Sequence, residues 1–97
     1  MKLINWNTDK NIWLRENRGI CFEDIIYFIE NELIIDDVVN PNNDKYPNQR
    51  IMILDINKYI YLVLYVESDK EIFLKTIIPT RKGTKKYLGG NKWYIKT

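Results

Sequence analysis

The chain contains no histidine and a single cysteine among its 97 residues. Without histidine it lacks the usual general base at neutral pH and the commonest transition-metal ligand. A histidine-dependent serine or cysteine triad is excluded outright, and a zinc site has no donor set to build from. The lone Cys21 excludes an internal disulfide and fits a reducing compartment. No apolar run approaches the roughly 18 residues of a membrane span, and the N-terminus has no signal-peptide-like apolar segment. The expectation is a cytoplasmic protein that needs no membrane, metal or cofactor. Acidic residues are missing from the last part of the chain. Residues 75–97 carry 7 basic and no acidic groups, whereas residues 1–74 carry 8 basic and 13 acidic ones. The small net charge of +2 therefore hides a basic end on an acidic body, a pattern suited to a polyanionic partner.

What is present is enough for one folded domain spanning 1–97. Hydrophobic residues make up 45% of the chain, with three Trp, seven Tyr and three Phe, which supports a modest core and not a disordered segment. Leu3–Trp6 reads as a short opening strand. Asn7 and Thr8 are both good N-caps, Asp9 suits a first turn and Gly19 suits the residue after a helix, so a helix is expected over about 9–18. Ile12, Trp13 and Leu14 are its only large apolar residues, which gives it a narrow buried stripe. A second helix follows at about 22–31, with Phe22, Ile25, Ile26 and Ile29 recurring at helical spacing as core. Cys21 stands at its N-cap with Asp24 three residues on, an incomplete capping box. Cys21 reads as a semi-buried structural thiol, with a reactive thiol as the alternative.

Leu33–Val39 has extended character, interrupted by Asp36 and Asp37. These adjacent acids invite a metal reading, but neighbours on a strand point to opposite faces, so the pair reads as an exposed strand end. Asn40–Gln49 is turn chemistry throughout and forms a loop. Ile51–Ile56 then leads through Asn57-Lys58, a two-residue turn, into Tyr59–Val66. Alternation there puts Tyr59, Tyr61, Val63 and Tyr65 on one face and Ile60, Leu62, Leu64 and Val66 on the other. The aliphatic face is expected to pack against the second helix. The tyrosine face reads as scaffold, with base stacking as the alternative. Ile72–Ile78 completes a meander. Pro79 ends it, because proline has no N–H to donate. Thr80 then caps a short helix that Gly89 terminates. Gly89-Gly90 separates a terminal Asn91–Thr97 whose Trp93 and Tyr94 are too apolar for an inert tail. The whole is an α+β chain: two N-terminal helices on an antiparallel sheet of three or four strands, closed by a short basic helix.

On that closing helix, Arg81, Lys82, Lys85 and Lys86 share one arc, and Gly83, Thr84, Tyr87 and Leu88 take the other. Cations in a first turn oppose the helix dipole, at a cost of about 0.3–1 kcal/mol each. An anion bound there would account for them, since helix N-termini bind phosphate readily. A solvated basic face is the alternative.

Trp6 with Lys10 four residues on, followed by Arg18-Gly-Ile-Cys-Phe-Glu-Asp24, resembles the opening of the BrnT toxin family. Lys75-Thr-Ile-Ile-Pro-Thr-Arg-Lys-Gly-Thr-Lys-Lys86 resembles that family's closing strand–helix motif, and the likeness spans residues 3–88. The resemblance implies a RelE-like fold and the function of a small ribonuclease toxin from a bacterial type II toxin–antitoxin system. It also implies neutralisation by a ribbon-helix-helix antitoxin, with DNA contacted only through that antitoxin. The sequence departs from the family pattern at three places. Asn17-Arg18-Gly19 stands where Lys-His-Gly is usual, Leu14 where Asn is usual, and Gly83 where Ala is usual.

Chemistry permits a ribonuclease without histidine. RNA already holds its nucleophile, the 2′-hydroxyl, so the protein has to align it and neutralise phosphate charge. Arg and Lys can stabilise the developing charge, and Lys, Tyr or Glu can move protons. The candidates are Arg81 and Arg50 as phosphate clamps, Lys75 on the closing strand, and Lys10 and Arg18 bounding the first helix. Lys82, Lys85 and Lys86 would hold the RNA backbone. Two other classes remain open: an RNA-binding module without catalysis, and an interaction domain whose basic helix docks an acidic peptide.

Overall fold

The computed structural model describes residues 2–89, so the expected aromatic segment Asn91–Thr97 lies outside the described residues. Strand β1 (Leu3–Trp6) leads into helices α1 (Thr8–Arg18) and α2 (Phe22–Glu30), then β2 (Asp36–Val39). The meander β3 (Gln49–Ile56), β4 (Tyr59–Glu67) and β5 (Glu71–Pro79) follows, and α3 (Arg81–Thr84) runs on into a π-helical turn, Lys85–Gly89. The α+β class is as expected, but the sheet has five strands in the order β1-β5-β4-β3-β2. It is mixed, because β1 runs parallel to β5 with Leu3 beside Glu71 and Trp6 beside Leu74. The expectation of three or four antiparallel strands missed this pairing. A four-residue strand with a distant partner leaves no hairpin signal in the sequence.

The helix pair is set by side-chain capping. Asn7 Oδ1 accepts from the N–H of Lys10 at 2.9 Å, and Gly19 adopts the left-handed conformation (φ 67°) that lets the chain reverse. Asn11 is only 6% exposed, and its Oδ1 accepts from the N–H of Phe22 at 2.7 Å. Its Nδ2 donates to Glu23 Oε1 at 2.8 Å. One amide of α1 thus satisfies the start of α2. Asp24 completes that start by accepting from the N–H of Cys21 at 3.1 Å. Of the three apolar residues on α1, Leu14 is buried while Ile12 and Trp13 are exposed.

The helices cover one sheet face. Leu14, Ile20, Phe22 and Ile25 pack with Met52, Leu54, Val63, Tyr65, Leu74 and Ile77 in one cluster, and Trp6 stacks on Phe22 with ring centroids 5.6 Å apart. The β4 expectation is overturned here: the face bearing Tyr61, Val63 and Tyr65 meets the helices, and Leu62, Leu64 and Val66 lie half-buried on the other side. Alternation separates two faces without saying which one is covered. The aromatic face fills the space under two short helices, and Ile60, on the opposite face, is buried against Gly83 of the closing helix. On β5 the register shifts beside Leu64 and Tyr65, leaving Lys75 without a partner on β4. That bulge allows Leu74 and Ile77, three residues apart, to point into the same core.

Asn11→Ala removes the acceptor of a buried amide, and the unsatisfied Phe22 N–H should cost about 1–3 kcal/mol. Urea unfolding should show a lower midpoint with an unchanged slope. A midpoint equal to the parent's would mean that the amide does not organise the helix pair.

Candidate functional site

The closing turn is fastened to β4 at both ends. The N–H of Thr80 donates to the Ile60 carbonyl at 3.0 Å, and Thr84 Oγ1 accepts from the Ile60 N–H at 2.8 Å. Thr80 Oγ1 caps the turn by accepting from the N–H of Gly83 at 3.1 Å. A side chain at Gly83 would bring Cβ to 2.6 Å from Thr80 Cγ2 and 3.1 Å from Ile60 Cγ2, so the close approach to β4 requires glycine there. Arg81, Lys82, Lys85 and Lys86 are exposed, while Gly83, Thr84, Tyr87 and Leu88 are half-buried, in keeping with the two arcs read from the sequence. The α-helical part is four residues long. Its dipole is accordingly small, and the Gly83 N–H is already bonded to Thr80. Attraction for an anion therefore rests on the four side-chain cations.

The first helix delivers a second group of cations to the same end of the sheet. Lys10 Nζ lies 4.4 Å from the Trp13 ring centre and the Arg18 guanidinium carbon lies 4.9 Å from it. β1 ends opposite Leu74, so the later part of β5 has no strand on that edge. Arg18 Nη1 fills part of the gap by donating to the Ile77 carbonyl at 2.5 Å. Ile77 stands just before Pro79, where the chain turns into the basic helix. Across β4, Tyr61 pairs with Pro79 and packs edge-on against Tyr59, with ring centroids 5.9 Å apart. Arg18, Tyr61 and the Arg81 turn therefore lie towards the same end of β4 and β5, with Tyr61 on the helix face and the turn on the opposite one.

At this end a cavity of about 450 Å³ opens between α2 and the β3–β4 hairpin, with Gly19, Glu23, Asp24, Tyr27, Asn57 and Tyr61 in its lining. Asn57 (φ 54°) and Lys58 (φ 66°) form the expected two-residue turn of that hairpin, which the Asp55 carboxylate caps by accepting from the Lys58 N–H at 2.8 Å. The hydrogen bond from Asn11 holds the Glu23 carboxyl below its ordinary range. Burial pushes the Cys21 thiol up, and it donates to Asp24 at 3.3 Å, which makes it a structural thiol at neutral pH.

Arg50 does not join this group. It pairs with Tyr65 across β3–β4, five positions along β4 from Ile60, which is about 16 Å at roughly 3.3 Å per residue. Its Nε donates to Asp37 Oδ1 at 3.0 Å and its Nη2 to the Asp37 carbonyl at 3.2 Å. The Tyr65 hydroxyl donates to the other carboxylate oxygen of Asp37. Arg50, one of the two expected phosphate clamps, therefore sits about 16 Å along the sheet from the strand end that carries the Arg81 turn. Arg50 instead borders a second cavity of about 510 Å³, lined also by Lys2, Asn43, Asn48, Glu67 and Asp69. Lys75 is exposed and its ammonium lies 5.2 Å from the Phe73 ring centre. Asp37, read from sequence as part of an exposed strand end, proves to be the hub of a three-residue contact. Only the β2–β3 register, with Asp37 beside Met52, shows that Arg50 can reach it.

Among the described residues no group of three acidic or cysteine side chains converges to hold a metal ion. No described helix is long and apolar enough to cross a membrane. No family model, curated protein or solved structure matches the chain.

Burial, and next the Asp37 carboxylate, raise the Tyr65 phenol above its ordinary value of 10.0. The folded state therefore holds this proton more tightly than the unfolded chain. Stability from this group is fully present below about pH 10 and is lost as pH rises towards the folded-state value. Tyr65→Phe has no such proton, so its urea midpoint should fall less than the parent's between about pH 8 and pH 11. Equal losses in the two proteins would contradict the assignment.

Proposed function

We propose that this chain is a small, metal-independent ribonuclease of the BrnT toxin type, cytoplasmic and neutralised by a ribbon-helix-helix antitoxin. The observation that carries the reading is the placing of Arg18, by its side-chain bond to the Ile77 carbonyl, and of the Arg81 turn, by the backbone bond from Thr80 to Ile60, towards one end of β4 and β5. The order of two helices, a meander and a basic closing helix is also the order the resemblance implies.

In this reading the RNA supplies its own nucleophile and the protein supplies alignment and charge. Arg81 grips the scissile phosphate, because a planar guanidinium can take two oxygens at once where lysine acts as a point charge. Arg18 adds a second fixed positive charge. A guanidinium has only donors to offer, so it stabilises the developing charge and is not cast as a proton carrier. Lys10, stacked with Arg18 on Trp13, extends the positive surface. Lys82, Lys85 and Lys86 hold neighbouring phosphates, and their contribution should be screened by salt. Arg50 and Lys75 take no part, since their side chains are turned to Asp37 and Phe73.

Arg81→Ala should abolish toxicity in a bacterial growth assay, and Arg81→Lys should retain part of it. Both variants should still fold and bind the antitoxin. Lys86→Ala, one turn on, should have a smaller effect. An Arg81→Ala protein that is folded, expressed and as toxic as the parent would remove the closing helix from the active site.

A further inference from the structure

The cavity of about 510 Å³ beside Arg50 falls within the range of small-molecule sites, roughly 300–1,000 Å³. It opens where the long loop after β2 meets the β4–β5 turn and Lys2. Gln49 is the buried member of its lining, only 8% exposed. Its polar groups are engaged one after another. The N–H donates to the Tyr46 carbonyl at 3.3 Å, the carbonyl accepts from the Asn40 N–H at 2.9 Å, and Oε1 accepts from Asn40 Nδ2 at 2.6 Å. Nε2 is the exception, since it donates to no described residue. No fully buried side-chain nitrogen or oxygen among the described residues lacks a partner. Nε2 therefore reaches open space, and the space that Gln49 borders is the cavity. A donor held this firmly and left unpaired calls for an acceptor.

The charges around the cavity nearly cancel. Lys2 is paired with Glu67, and Arg50 gives its Nε and an Nη2 hydrogen to Asp37. Among the described lining residues only Asp69 carries a charge without a partner. A phosphate finds no surplus of positive charge here, and a cationic ligand would face the donors of Gln49, Arg50 and Lys2. The groups left open are of both kinds. Gln49 Nε2 and Arg50 Nη1 can donate, Asp69 can accept, and the side-chain amides of Asn43 and Asn48 can do either. A hydroxyl suits such a wall because it donates and accepts at once. Neighbouring hydroxyls on one ring can take the amide donor and the carboxylate acceptor together. Val39, 51% exposed, offers an apolar surface to the C–H face of such a ring.

We propose that this cavity binds a neutral sugar, through vicinal hydroxyls that accept from Gln49 Nε2 and Arg50 and donate to Asp69. The site is independent of the ribonuclease reading, because it uses none of the residues at the Arg18–Arg81 end. A peptide strand is the other neutral ligand with both donors and acceptors. It would have to pair along β2, where the Asp37 N–H is already bonded to the Asp36 carboxylate and the Asp37 carbonyl to Arg50.

The test is NMR titration of the full chain with methyl α-glucopyranoside, methyl α-mannopyranoside and methyl β-galactopyranoside, following the Gln49 side-chain amide signals. At least one glycoside should shift them saturably, together with the backbone amides of Asn43, Asn48 and Asp69. Cyclohexanol, a ring with one hydroxyl, should shift none of them. Uridine separates a free sugar from the ribose of a nucleoside and should bind more weakly than the glycoside. Gln49→Glu keeps the acceptor for Asn40 but removes the donor, and should weaken the glycoside about tenfold. Asp69→Ala, on an exposed turn, should fold as the parent does and weaken the glycoside about fivefold. It carries the comparison alone if Gln49→Glu does not fold. No saturable shift with any of the three glycosides would overturn the proposal. Equal shifts with cyclohexanol, tighter binding of uridine, binding of tetra-alanine in place of the sugars, or an affinity unchanged by Asp69→Ala would do the same.

Discussion

Helices of eleven and nine residues are too short to persist alone in water, so their direction has to come from outside their own backbone. The buried amide of Asn11 supplies it by joining the middle of α1 to the first free N–H of α2. Gly19 makes the reversal possible, and Leu14, Phe22 and Ile25 then fall on the sheet together. Two functional consequences follow from this joint. The C-terminal end of α1 brings Arg18 to the open edge of β5, and Glu23 in the first turn of α2 pairs back to Asn11 and Arg15 of α1. Loosening the joint would move the cations and the carboxylates relative to each other.

The sheet carries the other half of the arrangement by having two covered faces. Its helix side buries Val63 and Tyr65, and Ile60 on the far side is sealed by the closing turn through Gly83. One strand thus fixes both layers, and its Tyr59–Tyr61 end is where they come closest in sequence terms to the basic residues. The opposite end of the sheet is held differently. Asn40 and Gln49 close the long loop with a side-chain bond of 2.6 Å, and Asp37 ties Arg50 to Tyr65. Those contacts keep the β2 edge in register, because Arg50 also covers the Asp37 carbonyl.

Local signals in the sequence located most of the elements. Asn7, Gly19 and the Asn57-Lys58 turn mark boundaries through chemistry confined to a few residues. Thr80 likewise foretells the closing turn. What depends on distant residues was illegible. The parallel partner of Leu3–Trp6 has no trace in the neighbouring chain, and the choice between the two faces of β4 depends on where the helices land. The site divides in the same way. Arg81 and its neighbours could be read from a short motif, whereas the separation of Arg50 from Arg81 required the sheet register. Asp24 was legible as a capping residue from its spacing to Cys21, whereas the bond between Glu23 and Asn11 depends on how the two helices pack.

The central claim is that nucleic acid engages the Tyr61–Pro79 end of the sheet and not the loop end. Amide shift mapping of the full chain with a short single-stranded RNA tests it directly. The account predicts the largest changes at Arg18, Gly19, Asn57, Tyr61, Thr80 and Arg81. Changes confined to Asn43, Asn48, Gln49 and Arg50 would place the contact in the other cavity and contradict it.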